Sequence, residues 1–294
     1  MGPRLGVLVG AKEPVARLPG TVRAIEAAGF DELWLAEDCF LHGGLTAAAT
    51  ALALSERVTV GTGLLPSAVR NPAIAAMEIA TLALLHPGRV QIAFGHGVEA
   101  WMRQIGARPP DRLVMLEEVV RATRALLHDE TVDTAGRFVT LRDVRLEQPP
   151  GTPPEILIGT TGERAMGIAA RAADGLVVPE GTSEPAVRWA RGLLGDGRLV
   201  VYSWLRIEDD AATAQAALSP VVERWRAAGN YPGLEARAGA LEELAVVGSA
   251  QDCADAVRRR GEAGADAVVL VPAGGDAAGQ VARFASEVLP LLRG

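Results

Sequence analysis

Cysteine is nearly absent: Cys39 and Cys253 are the only two in 294 residues, too few for a disulfide scaffold and in keeping with a reducing compartment. Positive charge is also scarce. The 36 acidic residues outnumber 29 basic ones, and a formal charge of −7 offers no general attraction to a nucleic-acid backbone, so no nucleic-acid partner is expected. No run approaches the roughly 20 apolar residues that cross a bilayer, since the most apolar stretch, Leu45 to Leu54, is short and rich in alanine. No membrane association follows. Met1 to Gly10 lack the basic start, apolar core and cleavage site of a secretory signal, so a cytoplasmic location is expected. Lysine is reduced to Lys12, a bias of nucleotide composition rather than chemistry. His42, His86, His96 and His128 fall in no metal-binding spacing, and neither a G-x-S-x-G elbow nor a phosphate-binding lysine loop occurs. A catalytic metal is not expected.

What is present is a compact composition, 49% hydrophobic and 22% charged, arranged in two alternating kinds of segment. Short runs rich in Val, Ile and Leu alternate with longer alanine-rich stretches whose apolar residues recur three and four apart. The runs predict eight strands: Leu5 to Val9, Glu32 to Ala36, Val58 to Thr62, Val90 to Phe94, Glu155 to Gly159, Gly175 to Val178, Leu199 to Leu205 and Ala267 to Val271. Helices are expected between them, with Ala277 to Leu292 closing the chain. Eight such units joined by right-handed crossovers close into a barrel without edges, so the fold expected is a single (β/α)8 TIM barrel spanning residues 1–294, with inserted segments at its rim. A doubly wound open sheet uses the same units. It would normally carry a G-x-G-x-x-G turn after its first strand, which Gly6 and Gly10 do not form. Two segments break the rhythm: Glu130 to Leu146, which reads as a hairpin around Ala135-Gly136, and Asn230 to Val247, with Tyr231-Pro232-Gly233. Each reads equally as a lid or as a packed insertion.

In such a barrel the chemistry sits where strands end, and those ends are polar or rich in glycine. After the second strand comes Glu37-Asp38-Cys39, after the third Gly61-Thr62-Gly63-Leu64, and after the fourth Gly95-His96-Gly97-Val98-Glu99. The fifth runs into Gly159-Thr160-Thr161-Gly162-Glu163-Arg164 and the sixth into Pro179-Glu180-Gly181. Two hydroxyl residues and a glycine before a helix leave backbone N–H groups facing an anion at the positive end of the dipole, a candidate phosphate site. The plain alternative is that Thr161 caps the helix. The glycines at two neighbouring strand ends either serve tight turns or leave a bed for a broad planar cofactor, and beside the phosphate-like loop the bed is preferred. Asp38, His96 and Glu99 are the groups able to exchange protons there, each with a structural alternative as a cap, ion pair or loop hydrogen bond. Cys39 is equally a small buried apolar residue, and Trp34, Trp101 and Trp204 are more readily core than ligand contacts.

Several runs together carry a family likeness. Gly29-Phe30-Asp31-Glu32-Leu33-Trp34-Leu35-Ala36-Glu37-Asp38, Val60-Gly61-Thr62-Gly63, Arg70-Asn71-Pro72-Ala73, Pro87-Gly88-Arg89 and Gly95-x-Gly97 keep one order along the chain. Ala80-Thr81-Leu82, Ala173-Asp174-Gly175, Gly248-Ser249 and Gly264-Ala265-Asp266 continue it. This pattern resembles the bacterial luciferase-like oxidoreductases, most of all the branch that uses the deazaflavin coenzyme F-420. The resemblance implies a barrel, usually a homodimer, that binds F-420 or FMN and acts on a small-molecule substrate. It assigns Asp38 to the coenzyme, Gly63-Leu64 to a cis peptide at the back of its ring, and Thr160-Thr161-Gly162 to its phosphate. Where the branch often has a catalytic histidine this chain has Cys39, Glu99 lies within one residue of an acidic catalytic position, and Asn71 stands where histidine is usual.

The leading expectation is hydride transfer between coenzyme F-420 and an organic substrate, with Glu99 or His96 handling any proton and Cys39 in the place of the catalytic histidine. An FMN-dependent monooxygenase, a flavin-binding barrel without catalysis, and a non-redox barrel acting on a phosphorylated metabolite are the alternatives. The substrate is not legible, because fold does not determine it.

Overall fold

The computed structural model describes residues 2–228, 234 and 240–293. Strands and helices alternate in the expected order. In the first half β1 (Arg4–Val9), α1 (Leu18–Ala27), β2 (Glu32–Leu35), α2 (Gly44–Ala53), β3 (Thr59–Pro66), α3 (Pro72–Leu85) and β4 (Val90–Gly95) follow one another. A short α4 (Glu99–Gln104), which the apolar periodicity does not reveal, precedes α5 (Arg112–Leu127) and a hairpin of β5 (Val132–Ala135) and β6 (Thr140–Val144). Then come β7 (Glu155–Gly159), α6 (Glu163–Ala172), β8 (Gly175–Val178), α7 (Glu184–Leu194), β9 (Arg198–Ile207) and α8 (Ala211–Ala228). The chain finishes with α9 (Leu241–Leu244), β10 (Ala245–Gly248), α10 (Ala250–Glu262), β11 (Ala267–Pro272), α11 (Ala277–Arg283) and α12 (Leu289–Arg293). A π-turn at Phe284–Val288 interrupts what the sequence pattern reads as one closing helix.

The parallel pairings run β1-β2-β3-β4-β7-β8, then β8 to β9, β9 to β11 and β11 back to β1, so eight strands close on themselves and the open-sheet alternative falls. One strand was not expected. β9 pairs with β8 through Arg198 to Val201, and its last four residues carry β10 on the same edge, Ala245 opposite Trp204 and Gly248 opposite Ile207. β10 lies in the segment read as a break in pattern; residues 229–233 and 235–239 of that region, including Tyr231-Pro232-Gly233, lie outside the described residues. The hairpin is a packed insertion. Val139 and Leu141 are buried in the main core, and the Glu118 carboxylate on α5 accepts from the main-chain N–H groups of Arg137, Phe138 and Val139 at 2.8, 2.8 and 2.9 Å.

Alternate residues of each strand face the surrounding helices and the barrel axis. Leu33 and Leu35 join the helix-facing core, whereas Trp34, Ala93, Leu157, Val177, Val200, Tyr202, Ala267 and Val269 fill the barrel. Glu32 is fully buried at the N-terminal end, where its carboxylate accepts from Arg4 Nε at 2.7 Å, from Trp34 Nε1 at 2.9 Å and from Arg198. This network closes the barrel from below and leaves the C-terminal end as the mouth. Helix starts follow local chemistry. Asn71 caps α3, its side chain accepting from the Ala73 N–H at 2.9 Å with Pro72 in the first turn, which gives a structural reason for an asparagine there.

Candidate active site

The mouth is built from strand exits. Glu37, the first residue with a charged side chain after β2, accepts from Arg70 at 2.6 and 2.9 Å and from the Gly44 N–H at 2.7 Å. That clamp fixes the loop carrying Asp38 and Cys39. Asp38 is half-buried; burial pushes its carboxyl pKa up, while Lys12 and His42 nearby pull it partly back. Cys39 is half-buried too, and burial with the charges of Glu37 and Asp38 raises its thiol pKa, which opposes thiolate formation. A thiol so placed is a weak nucleophile.

β3 carries the feature around which the mouth is organised. The Gly63-Leu64 peptide is cis, as the resemblance implies, and the pairing of β3 with β4 shifts register between Gly63 and Leu65. Leu64 consequently lies inside the mouth, half-buried. A Cβ added to Gly159 would lie 2.0 Å from Leu64 Cδ2, and one added to Gly95 would lie 2.7 Å from Leu64 Cδ1. Both glycines therefore make room for Leu64. Gly61 faces the Trp34 indole, at 2.3 Å from such a Cβ, and Gly97, at φ 70°, faces Met102. These four glycines are matched to protein side chains, so the bare bed expected from the sequence is corrected: the surface offered at the centre of the mouth is the Leu64 side chain. Gly63 is matched likewise, with the Tyr202 hydroxyl 3.0 Å from its would-be Cβ. Thr62 is fully buried with no partner for its hydroxyl and packs toward Gly44 outside the strand, so its side chain does not line the mouth.

After β4, His96 is half-buried. Burial and the nearby Arg112 charge lower its pKa, although a hydrogen bond to the Arg112 main chain opposes this, and its Nδ1 is buried without a partner. With the other ring nitrogen donating to the Arg112 main chain, a neutral imidazole leaves Nδ1 without a proton and so an acceptor. Glu99, by contrast, opens α4 and is held by Arg108 at 3.1 Å and Arg112 at 3.3 Å. Its carboxylate already has two cationic partners.

The β7 exit answers the capping question. Gly162, not Thr161, is the residue before α6, and no side chain caps that helix; the Thr160 hydroxyl instead accepts from the Gly162 N–H at 3.3 Å. The first-turn N–H groups of α6, starting at Glu163, are left facing outward beside half-buried Thr160 and Thr161. An anion with several acceptor oxygens fits this end.

Two further groups belong to the mouth and were not among the candidates. Burial pushes the Glu180 carboxyl pKa up, and the charge of Asp38, on the opposite side of the barrel, raises it further. Tyr202 points inward from β9, fully enclosed, with its hydroxyl unpartnered and its pKa raised well above the phenol range by burial and by Glu180 and Glu32. Pro179-Glu180-Gly181 was visible as a polar strand exit. Tyr202 had no signal of its own, because a tyrosine inside a strand reads as core.

The buried unpartnered Tyr202 hydroxyl and His96 Nδ1, with the uncapped helix end, suit a cofactor having both polar ring atoms and a phosphate. Known proteins agree with this. A sequence profile described as luciferase-like monooxygenase matches residues 2–267. An F420-dependent glucose-6-phosphate dehydrogenase from Kineococcus radiotolerans is 28% identical, over 91% of this chain and 90% of that protein. One from Beutenbergia cavernae is 31% identical, over 60% of this chain and 57% of the other. The structure of an F420-dependent secondary alcohol dehydrogenase in complex with an F420-acetone adduct superposes with a TM-score of 0.81 at 22% identity, covering 100% of both chains.

Proposed function

The chain belongs to the luciferase-like monooxygenase family, and within it we propose an oxidoreductase that uses coenzyme F-420 to move a hydride to or from an organic substrate. The observation that carries this reading is the uncapped start of α6 beside a mouth organised around Leu64, together with the F420-dependent relatives. When bound, the deazaflavin supplies the hydride donor or acceptor. The residues assigned to hold it are Asp38, Gly61, Thr62, Gly63 and Leu64 on one side, Gly95, His96 and Gly97 on the next, and Gly159, Thr160, Thr161, Gly162 and Glu163 at its phosphate. At the strand exits the contribution of the glycines and of Thr62 is main chain and close packing, while Asp38 and Leu64 offer side chains.

The chain's own chemistry is proton handling and exclusion of water. His96 is the favoured proton acceptor, because its imidazole is held neutral with Nδ1 unpartnered. Glu99 is better suited to fixing Arg108 and Arg112 at the rim, and Cys39, with its thiol favoured, to lining the site. Tyr202, with its hydroxyl buried and unpartnered, is able to donate a hydrogen bond into the site, and Glu180 stands at the β8 exit with its carboxyl pKa raised. Gly162→Asp tests the phosphate assignment, since an added carboxylate would occupy the free N–H groups. F-420 should bind at least tenfold more weakly, whereas the phosphate-free deazaflavin should bind as before; equal losses for both would refute the assignment.

Two coarser expectations extend this reading. A homodimer is supported by α3, which buries Ala75, Ala76, Ile79 and Ala83 on one face yet exposes Ile74, Met77, Leu84 and Leu85 on the other. A cytoplasmic location is supported by Cys39 and Cys253 both being free thiols.

A further inference from the structure

Strongly exposed large apolar side chains are not scattered over this protein. Among the described residues Ile74, Met77, Leu84 and Leu85 lie on α3 and Leu291 near the end of the chain. The other six, Val15, Phe40, Leu41, Val69, Val98 and Ile105, all follow the C-terminal ends of β1 to β4. They occupy one half of the rim. Inside that rim Leu8, Leu64 and Val271 are half-buried over the barrel core, so apolar surface continues from the floor outward. Single exposed aliphatic residues need no explanation, but clustering around a mouth does.

Phe40 gives the cluster its strongest member. It is 65% exposed at φ 72°, a left-handed backbone state that a bulky side chain adopts only at an energetic cost. No burial of the ring offsets that cost. The loop imposes it: the Leu41 N–H donates to the Asp38 carbonyl at 3.2 Å, and Glu37 clamps both ends through Arg70 and Gly44. The phenyl ring is thereby held up at the rim next to Asp38 and Cys39.

Several cations near the mouth are committed elsewhere. Arg108 and Arg112 hold Glu99, Arg70 holds Glu37, and Arg206 pairs with Glu208 and donates to the carbonyls of Ala273 and Gly274. Lys12 is exposed with the Asp38 charge near it. Around Phe40, Leu41 and Val98 a phosphorylated sugar would find Arg70, Arg108 and Arg112 already paired, and a sugar hydroxyl would meet hydrocarbon.

We propose that the substrate is an uncharged, largely hydrocarbon molecule seated against Phe40, Leu41 and Val98, and that these three side chains set specificity for it. The inference rests on the mouth being the active site assigned above. Its test is the affinity of the protein, with and without F-420, for straight-chain alcohols from propanol to octanol and for glucose 6-phosphate, read by calorimetry. Affinity should rise about fourfold per methylene, the equivalent of ~0.8 kcal/mol for each buried CH2. Phe40→Asn, which suits the left-handed backbone, combined with Val98→Ser should cut that slope to below twofold while leaving F-420 affinity and circular dichroism unchanged. A flat slope in the parent protein, a slope unaltered in the double variant, or tighter binding of glucose 6-phosphate than of octanol would each overturn the proposal. Loss of F-420 binding with the alcohol slope intact would instead count against the coenzyme assignment alone.

Discussion

Gly61→Ala and Gly159→Ala add the same methyl group at two exits of the same barrel, and the structure predicts opposite consequences. At Gly61 the new Cβ would fall 2.3 to 2.5 Å from three carbons of the Trp34 indole, where carbon atoms normally keep about 3.5–4.0 Å. The ring must move by more than an ångström. It is fully buried, its edge meets Tyr202 with ring centroids 5.7 Å apart, and its Nε1 is tied to Glu32 at 2.9 Å, so no free space receives it. Overpacking of this kind costs about 1–3 kcal/mol, and losing a hydrogen bond to a buried carboxylate about 1.5–3 kcal/mol. Less glycine entropy in the unfolded chain returns about 0.4–1 kcal/mol, leaving a net loss of about 1.5–5.5 kcal/mol. At Gly159 the clash is with the Leu64 side chain, Cδ2 at 2.0 Å, Cδ1 at 2.5 Å and Cγ at 2.8 Å, which is half-buried in the mouth and would have to turn away from β7. That change should cost about 1 kcal/mol or less in stability but shift Leu64 into the space assigned to the coenzyme, weakening F-420 binding. Urea unfolding of both variants, with fluorescence titration of F-420, separates the two effects. The reasoning fails if Gly61→Ala lies within about 1 kcal/mol of the parent, or if Gly159→Ala unfolds as easily as Gly61→Ala.

The other predictions concern charge and association. Because the folded protein raises the Asp38 pKa, the ionised carboxylate destabilises it at neutral pH, and this penalty disappears as pH falls below the unfolded-state value of 3.8. Asp38→Asn should therefore raise the urea midpoint at pH 7.5, lose that advantage near pH 3.5, and bind F-420 less well; a lower midpoint at pH 7.5 would contradict the burial argument. Met77→Glu places a charge in the middle of the exposed face of α3 and should weaken self-association on the order of a hundredfold in sedimentation analysis, without changing the monomer's unfolding. An unchanged dimer would move the interface elsewhere.

The barrel was legible because its information is local and repeated. Each interior strand is a short run of β-branched and aliphatic residues, buried on both faces, and each helix has an apolar stripe, so strand and helix read apart by period and length. β10 was missed for a physical reason: Ala245-Val246-Val247-Gly248 is only four residues long and exists as a strand because β9 extends far enough to pair with it. The short α4 was missed likewise. At the site, strand exits follow from chain order alone, and that order points to Asp38, Leu64, His96 and the Thr160 loop. What each does depends on contacts between distant segments. Gly159 reads as a turn or cofactor glycine until Leu64 is seen against it, Glu99 reads as an acid until Arg108 and Arg112 close on it, and Tyr202 reads as core until its hydroxyl proves unpartnered.

Titration of the purified protein with F-420, and separately with FMN, tests the central claim most directly. The account predicts saturable binding of the deazaflavin at one molecule per chain with a dissociation constant in the low micromolar range or below, about −8 kcal/mol at 1 μM, and weaker binding of FMN. A protein that left F-420 unbound up to high micromolar concentrations, or that took FMN in preference, would contradict it.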